Sequence, residues 1–147
     1  MIACLLDSNI LVYANNVDSP LHEPCKKIVT DALLGRFPAY IAHQNLLELY
    51  AVVTDTRRVE NPLSPECANT LINFYLTARN ISILYPTSKT FSILGKLITD
   101  HAPLSHGIFD VVLVALMIDN NIRTIHTANM RHFSNFKEIT AIPPSTY

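Results

Sequence analysis

The chain has 147 residues, 49% of them hydrophobic, and a formal net charge of −1. That length suits one domain, 1–147, burying about two-thirds of its unfolded surface, and the apolar share excludes a disordered chain. The near-neutral charge excludes a basic field over the whole molecule, so any grip on nucleic acid has to come from local Arg or Lys.

Residues 2–6, IACLL, form a short apolar run bounded by polar residues and predict a buried strand. SNILVYANN then predicts a helix with Ser8 or Asn9 near its cap. A second helix is expected over about Pro24 to Leu34, closed by Gly35. PAYIA predicts a strand. From His43 to Thr56, Leu46, Leu47, Tyr50 and Val53 recur at helical spacing. SPECANTLINFYLTAR is the clearest helix, with Ser64 as N-cap, Pro65 at N1, and Cys67, Ala68, Leu71, Ile72 and Tyr75 on one face. ISILY predicts a strand, and TSKTFSILGKLITDHA an amphipathic helix through Phe91, Leu94 and Ile98. FDVVLVALMIDNN is apolar on nearly every side, hence a central helix. NIRTIHT is a strand, and a last one is expected near EITAI. Strands alternating with helices imply an α/β fold, with a parallel sheet covered on both faces and ligands bound beyond the carboxyl ends of the strands.

Several classes drop out. Cys4, Cys25 and Cys67 form no CxxC pair and read as small hydrophobes of a reducing cytosol. The N-terminal run has no basic residues before it and is interrupted by Asp7, unlike a signal peptide. The longest unbroken apolar segment, Val111–Ile118, falls far short of the ~18 residues of a membrane span. A soluble, cytoplasmic protein is expected. The three glycines are dispersed, which excludes phosphate loops and dinucleotide fingerprints. His101 and His106, in HAPLSH, lack metalloprotease spacing and read as a polar loop.

Three acids stand out among the 12. Asp7 has no Lys or Arg within ten residues, and Glu48 and Asp110 have none at helical spacing, although all three sit in apolar surroundings. Each has an ordinary alternative: Asp7 and Asp110 as helix caps, Glu48 as a solvent-facing side chain. Carboxylates gathered in one low-dielectric cleft repel one another and raise each other's pKa, a conflict that a divalent cation removes. All-oxygen ligands favour Mg²⁺ or Mn²⁺, and such an ion activates water and stabilises charge on a phosphoryl oxygen.

DSN closing the first strand, the acid of QNLLELY, and FDVVLVALM followed by TANMRHF together resemble the PIN-domain ribonucleases, and among them the VapC-type toxins of toxin–antitoxin pairs. The resemblance runs along essentially the whole chain. It implies a PIN-like three-layer sandwich, a central parallel sheet of four to five strands with helices on both faces. It further implies a Mg²⁺- or Mn²⁺-dependent endoribonuclease leaving 5′-phosphate and 3′-hydroxyl ends, a homodimer, and a small antitoxin that covers the site. Asp7, Glu48 and Asp110 map onto the family's first three metal-binding acids, and Asn9 onto the polar residue that supports the first. His132 stands where a further acid is frequent, which puts a second metal ion in doubt, since imidazole is the poorer Mg²⁺ ligand. Thr127, Asn129 and His132 are expected to line the cleft. Arg57 and Arg58, at the end of the helix carrying Glu48, and Arg131, beside the site, are the candidates for RNA contact, Arg131 foremost; a solvated or helix-end charge is the alternative for the Arg57 and Arg58 pair. Two other readings stay open. One is a degenerate PIN domain that binds RNA or protein without cutting. The other is a phosphohydrolase with Asp7 as covalent nucleophile, although Asn9 stands where such enzymes normally carry a second Asp.

Overall fold

A computed structural model describes residues 1–146. In chain order the elements are β1 (Cys4–Leu6), α1 (Ser8–Ala14), α2 (His22–Leu33), β2 (Ala39–Ala42), α3 (His43–Val53), α4 (Pro65–Leu76), β3 (Ile81–Leu84), α5 (Ser88–His101), α6 (Gly107–Asp119), β4 (Thr124–His126), α7 (Met130–Phe133) and β5 (Thr140–Ile142), followed by a 3₁₀ turn at Pro144–Thr146. The strands make one five-stranded sheet in the order β3-β2-β1-β4-β5. Every neighbouring pair is parallel. This is the expected α/β architecture, with the upper number of strands.

Adjacent residues of β1 explain the layers, because side chains alternate across a strand. Leu5 joins a core with α5 and α6, through Leu94, Leu97, Val111 and Leu113–Met117. Leu6 joins a separate core with α1 to α4, through Ile10, Cys25, Ile28, Leu49 and Tyr75. The sheet is thus apolar on both faces and helix-covered on both. Leu116, in the middle of α6, is fully buried. Its replacement by Ala should cost roughly 2–5 kcal/mol.

The strand order decides where a ligand can sit. The chain steps outward from β1 to β2 and β3, then returns on the other side of β1 for β4 and β5. Neighbouring connections diverge at β1 and β4, which opens a crevice beyond their carboxyl ends. Asp7 leaves β1 there and Thr127 leaves β4. The backbone locks the two ends together through Asp7 N, which donates to His126 O at 3.0 Å, while Thr127 N donates to Ile142 O of β5 at 3.1 Å.

Several local expectations are corrected. The cap of α1 is Asp7 itself, whose carboxylate accepts from Ser8 N. Helix α2 starts at His22, two residues early, since Pro24 is tolerated in a first turn. It stops where Gly35 turns to φ 70°, a conformation that suits glycine. In α3 the buried stripe is Asn45, Leu46, Leu49 and Val53, so Leu47 and Tyr50 face outward. In α5 it is Thr90, Leu94 and Leu97, leaving Phe91 and Ile98 exposed. The cause is a polar anchor: Thr90 Oγ1 donates to Asp119 Oδ2 at 2.6 Å and sets the rotation of α5 against the end of α6. Cys4 and Cys25 are buried, whereas Cys67 lies on the surface. Among the described residues no helix is long and apolar enough to cross a membrane.

Candidate active site

A cleft of about 530 Å³ opens at the crevice and draws its walls from four parts of the chain. Asp7 enters from the end of β1, Glu48 from the middle of α3, and Asp110 from the first turn of α6. A carboxylate in that first turn is favoured by the helix dipole.

Asp7 is 6% exposed and survives as a buried carboxylate through hydrogen bonds. Its Oδ1 accepts from Ser8 N at 2.8 Å. Its Oδ2 accepts from Asn9 Nδ2 and from Thr127 Oγ1, both at 2.7 Å. Asn9 in turn accepts from Ala128 N at 2.8 Å, and Thr127 Oγ1 from Asn129 N at 3.0 Å. These bonds fix the side chain without cancelling its charge, so it can still act on a cation.

Glu48 is tied to the same point, because Ser8 Oγ donates to its Oε2 at 2.6 Å. Burial raises the Glu48 pKa, and the charges of Asp7 and Asp110 raise it further; the Ser8 hydroxyl and Arg58 act the other way. Asp110 is raised as well, by burial first and then by Asp7, while His132 opposes the shift. The ring Nδ1 of His132 lies 3.1 Å from Asp110 Oδ2. None of the three acids is ion-paired to Lys or Arg among the described residues.

This is a donor set for a hard cation: carboxylate oxygens that disfavour one another's charge and, among the described residues, have no Lys or Arg in an ion pair, His132 beside Asp110 being their one basic neighbour within ion-pair distance. Among the described residues, no group of three or more His, Cys, Asp and Glu is gathered tightly enough to hold an ion by direct ligation. The acids surround a shared space and do not converge on a point. Mg²⁺ suits such a space, since it keeps several waters and takes only one or two carboxylates directly. The residues present fit the ion.

A family model described as PIN domain matches residues 4–139. The chain belongs to that family. Ribonuclease VapC37 of Mycobacterium tuberculosis is 28% identical over 116 residues, which are 79% of this chain and 81% of that protein. Ribonuclease VapC48 of the same organism is 26% identical over 133 residues, 89% of this chain and 92% of that protein. Among solved structures, VapBC2 from Rickettsia felis, bound to a DNA fragment from its promoter, aligns with a TM-score of 0.66 at 20% identity, over 97% of this chain and 98% of that one. The DNA-bound VapBC from Salmonella typhimurium aligns at 0.64 and 16% identity, over 98% and 99%. At these identities the structural likeness speaks for the PIN fold.

Within this PIN chain, the expected residues sort themselves by position. Asp7, Glu48, Asp110, Asn9, Asn129 and His132 all line the cleft, and Thr127 stands just behind Asp7. The arginines divide. Helix α3 ends at Val53, so Arg57 and Arg58 lie in the connection after it. Arg57 is held by Asp55 at 3.1 Å, whereas Arg58 lines the cleft. Arg131 is exposed on α7 and lies outside the cleft walls. His101 closes α5 with its ring 4.4 Å from that of Phe136, and His106 joins the cleft wall. Two residues escaped the sequence reading. Ser8 bridges toward both Asp7 and Glu48. Asn45 is fully buried and takes Ala42 N on its Oδ1 at 3.1 Å while its Nδ2 approaches Asp7 Oδ1 at 3.4 Å. Its signal was there: an amide three residues before Glu48 shares its helix face.

Proposed function

We propose that this PIN chain is a divalent-metal-dependent endoribonuclease, the VapC-like toxin of a toxin–antitoxin pair, acting in the cytoplasm as one domain over 1–147. Three acids from three distant segments facing one cleft, none ion-paired to Lys or Arg among the described residues, carry the reading. Asp7, Glu48 and Asp110 would hold Mg²⁺ or Mn²⁺, which supplies acidified water and charge stabilisation on a phosphoryl oxygen. The chain's own part is positioning. Asn9, Thr127 and the Ser8 amide keep Asp7 in one rotamer, and the Ser8 hydroxyl sets Glu48 beside it. Among the described residues that line the cleft, Arg58 is the single Lys or Arg, and it offers its charge to an incoming phosphate. His132 steadies Asp110, and Asn129 supplies a polar rim. The names of the ribonuclease relatives and the VapBC complexes support RNA as substrate and a small antitoxin as partner; a homodimer is part of the same proposal.

A second reading rests on His132, which engages an oxygen of Asp110: a PIN module that binds without cutting. Cleavage of RNA by the purified protein in Mg²⁺ or Mn²⁺, abolished by EDTA and by Asp7→Asn at unchanged helical content, is the result expected. RNA left intact by wild-type protein in both ions, with no divalent binding at millimolar concentration, favours the second reading. Equal cutting by Asp7→Asn sinks the first.

A further inference from the structure

A smaller pocket of about 100 Å³ lies beside the acidic cleft. It lies between the connection from α1 to α2 and the connection from α3 to α4. Val12, Asn16 and Val59 line both spaces, so the two are adjacent. Val53 and Leu63 add apolar wall. The connections are laced together: Leu63 N donates to Val53 O at 2.7 Å, and Asn61 Nδ2 reaches Asp18 Oδ2 at 3.4 Å.

The polar rim is specific. Asn16 Oδ1 already accepts from Asp18 N at 3.2 Å, which leaves the Asn16 amide nitrogen as a donor. Asp18, the single ionisable residue lining this pocket, is exposed and accepts only. A phosphate is repelled there, so it belongs in the main cleft beside Arg58. The volume is well under the ~300 Å³ at which drug-sized ligand sites begin, and it suits one planar ring between aliphatic walls.

Resting on the RNA-cleaving reading above, we propose that this side pocket takes one unstacked base of the substrate, and that Asp18 with Asn16 selects a base bearing an exocyclic amino group over uracil. A carboxylate accepts well from an exocyclic amine, and the Asn16 amide can donate to the acceptor next to it on the same edge. Uracil instead presents a single N–H flanked by two carbonyl oxygens, both turned toward the carboxylate. The base must leave its stack to enter, so the target is single-stranded RNA, a loop or an end.

Cut sites mapped on random-sequence RNA with Mg²⁺ or Mn²⁺ test the proposal. Wild-type protein should disfavour uridine roughly tenfold at one position beside the cut. Asp18→Asn, whose amide can also donate to a uracil carbonyl, should bring that ratio within about twofold. Cleavage with no uridine discrimination at any flanking position, or an unchanged profile in Asp18→Asn, overturns the pocket and leaves the nuclease reading standing. Binding in EDTA gives the same comparison without turnover. Oligouridylate should bind wild type roughly tenfold more weakly than oligoadenylate and oligocytidylate, and only about twofold more weakly in Asp18→Asn. Equal affinities in wild type refute the proposal even where no cleavage is seen.

Discussion

Thr127 Oγ1 donates to Asp7 Oδ2 at 2.7 Å, joining residues 120 positions apart. The bond exists because β1 and β4 are parallel neighbours that end level, with Leu6 opposite His126. Thr127→Val keeps the shape and removes the donor from a buried carboxylate. A loss of about 1.5–3 kcal/mol in denaturant unfolding is expected, the range for hydrogen bonds to charged groups. Cleavage should fall with it, because Asp7 Oδ2 then keeps only the Asn9 amide as a donor among the described residues. Stability and rate both at wild-type level would show that this bond positions nothing.

Mg²⁺ or Mn²⁺ should stabilise the protein independently of any turnover. An ion present at a hundred times its dissociation constant adds about 2.7 kcal/mol to a fold that alone binds it. Thermal unfolding with and without the ion reads this directly. Asp7→Asn should lose most of the ion-induced shift, and in EDTA it should unfold earlier than wild type, since both carboxylate oxygens of Asp7 accept from donors that an amide NH2 cannot satisfy.

The pH dependence has a definite sign. Glu48 and Asp110 have folded-state pKa values above their ordinary 4.5 and 3.8. The folded protein therefore holds their protons more tightly than the unfolded chain does, and stability falls as pH rises through the window from those ordinary values to the raised ones. In EDTA, wild-type protein should gain stability relative to the Glu48→Gln, Asp110→Asn double variant as pH drops from 7 through that window, levelling below it. Groups such as Asp55 and Asp119, which are shifted downward, oppose the trend in both proteins and cancel in the difference. Urea midpoints across pH that run parallel in the two proteins would contradict the raised values.

Arg58 and Arg57 should behave differently despite being neighbours. Arg58 lines the cleft and acts on Glu48, while Arg57 is spent on Asp55. Arg58→Ala should weaken RNA binding and reduce the slope of log affinity against log salt by about 0.7, the value for one single-strand phosphate contact. Arg57→Ala and Arg131→Ala should leave that slope within error. A slope change in Arg131→Ala and none in Arg58→Ala would relocate the phosphate contact to α7.

The three acids were legible because each is an anomaly within its own few residues. An unpaired carboxylate among Leu, Val and Ile needs a local reason, and helix or strand period says which side of an element it leaves from. The helix faces were less legible. Phe91 and Ile98 keep the same spacing to Leu94 as a buried stripe would, and the bond from Thr90 to Asp119 turned α5 so that they face out. Cys67 was expected on the buried side of α4 but is exposed, because the buried line of that helix runs through Ala68 and Tyr75 and Cys67 is turned away from it.

By itself the sequence determined the alternation of strands and helices, the two-sided burial of the sheet, and the identity of three displaced carboxylates, since each of these depends on side-chain chemistry and period over a short span. Only the tertiary structure decided that β4 lies against β1, that Thr127, Ser8 and Asn45 therefore surround Asp7, that Arg58 faces the cleft while Arg131 lies outside its walls, and that two loops enclose a side pocket. Those are contacts between segments tens of residues apart. Their geometry follows from strand order and helix rotation, which no local pattern encodes.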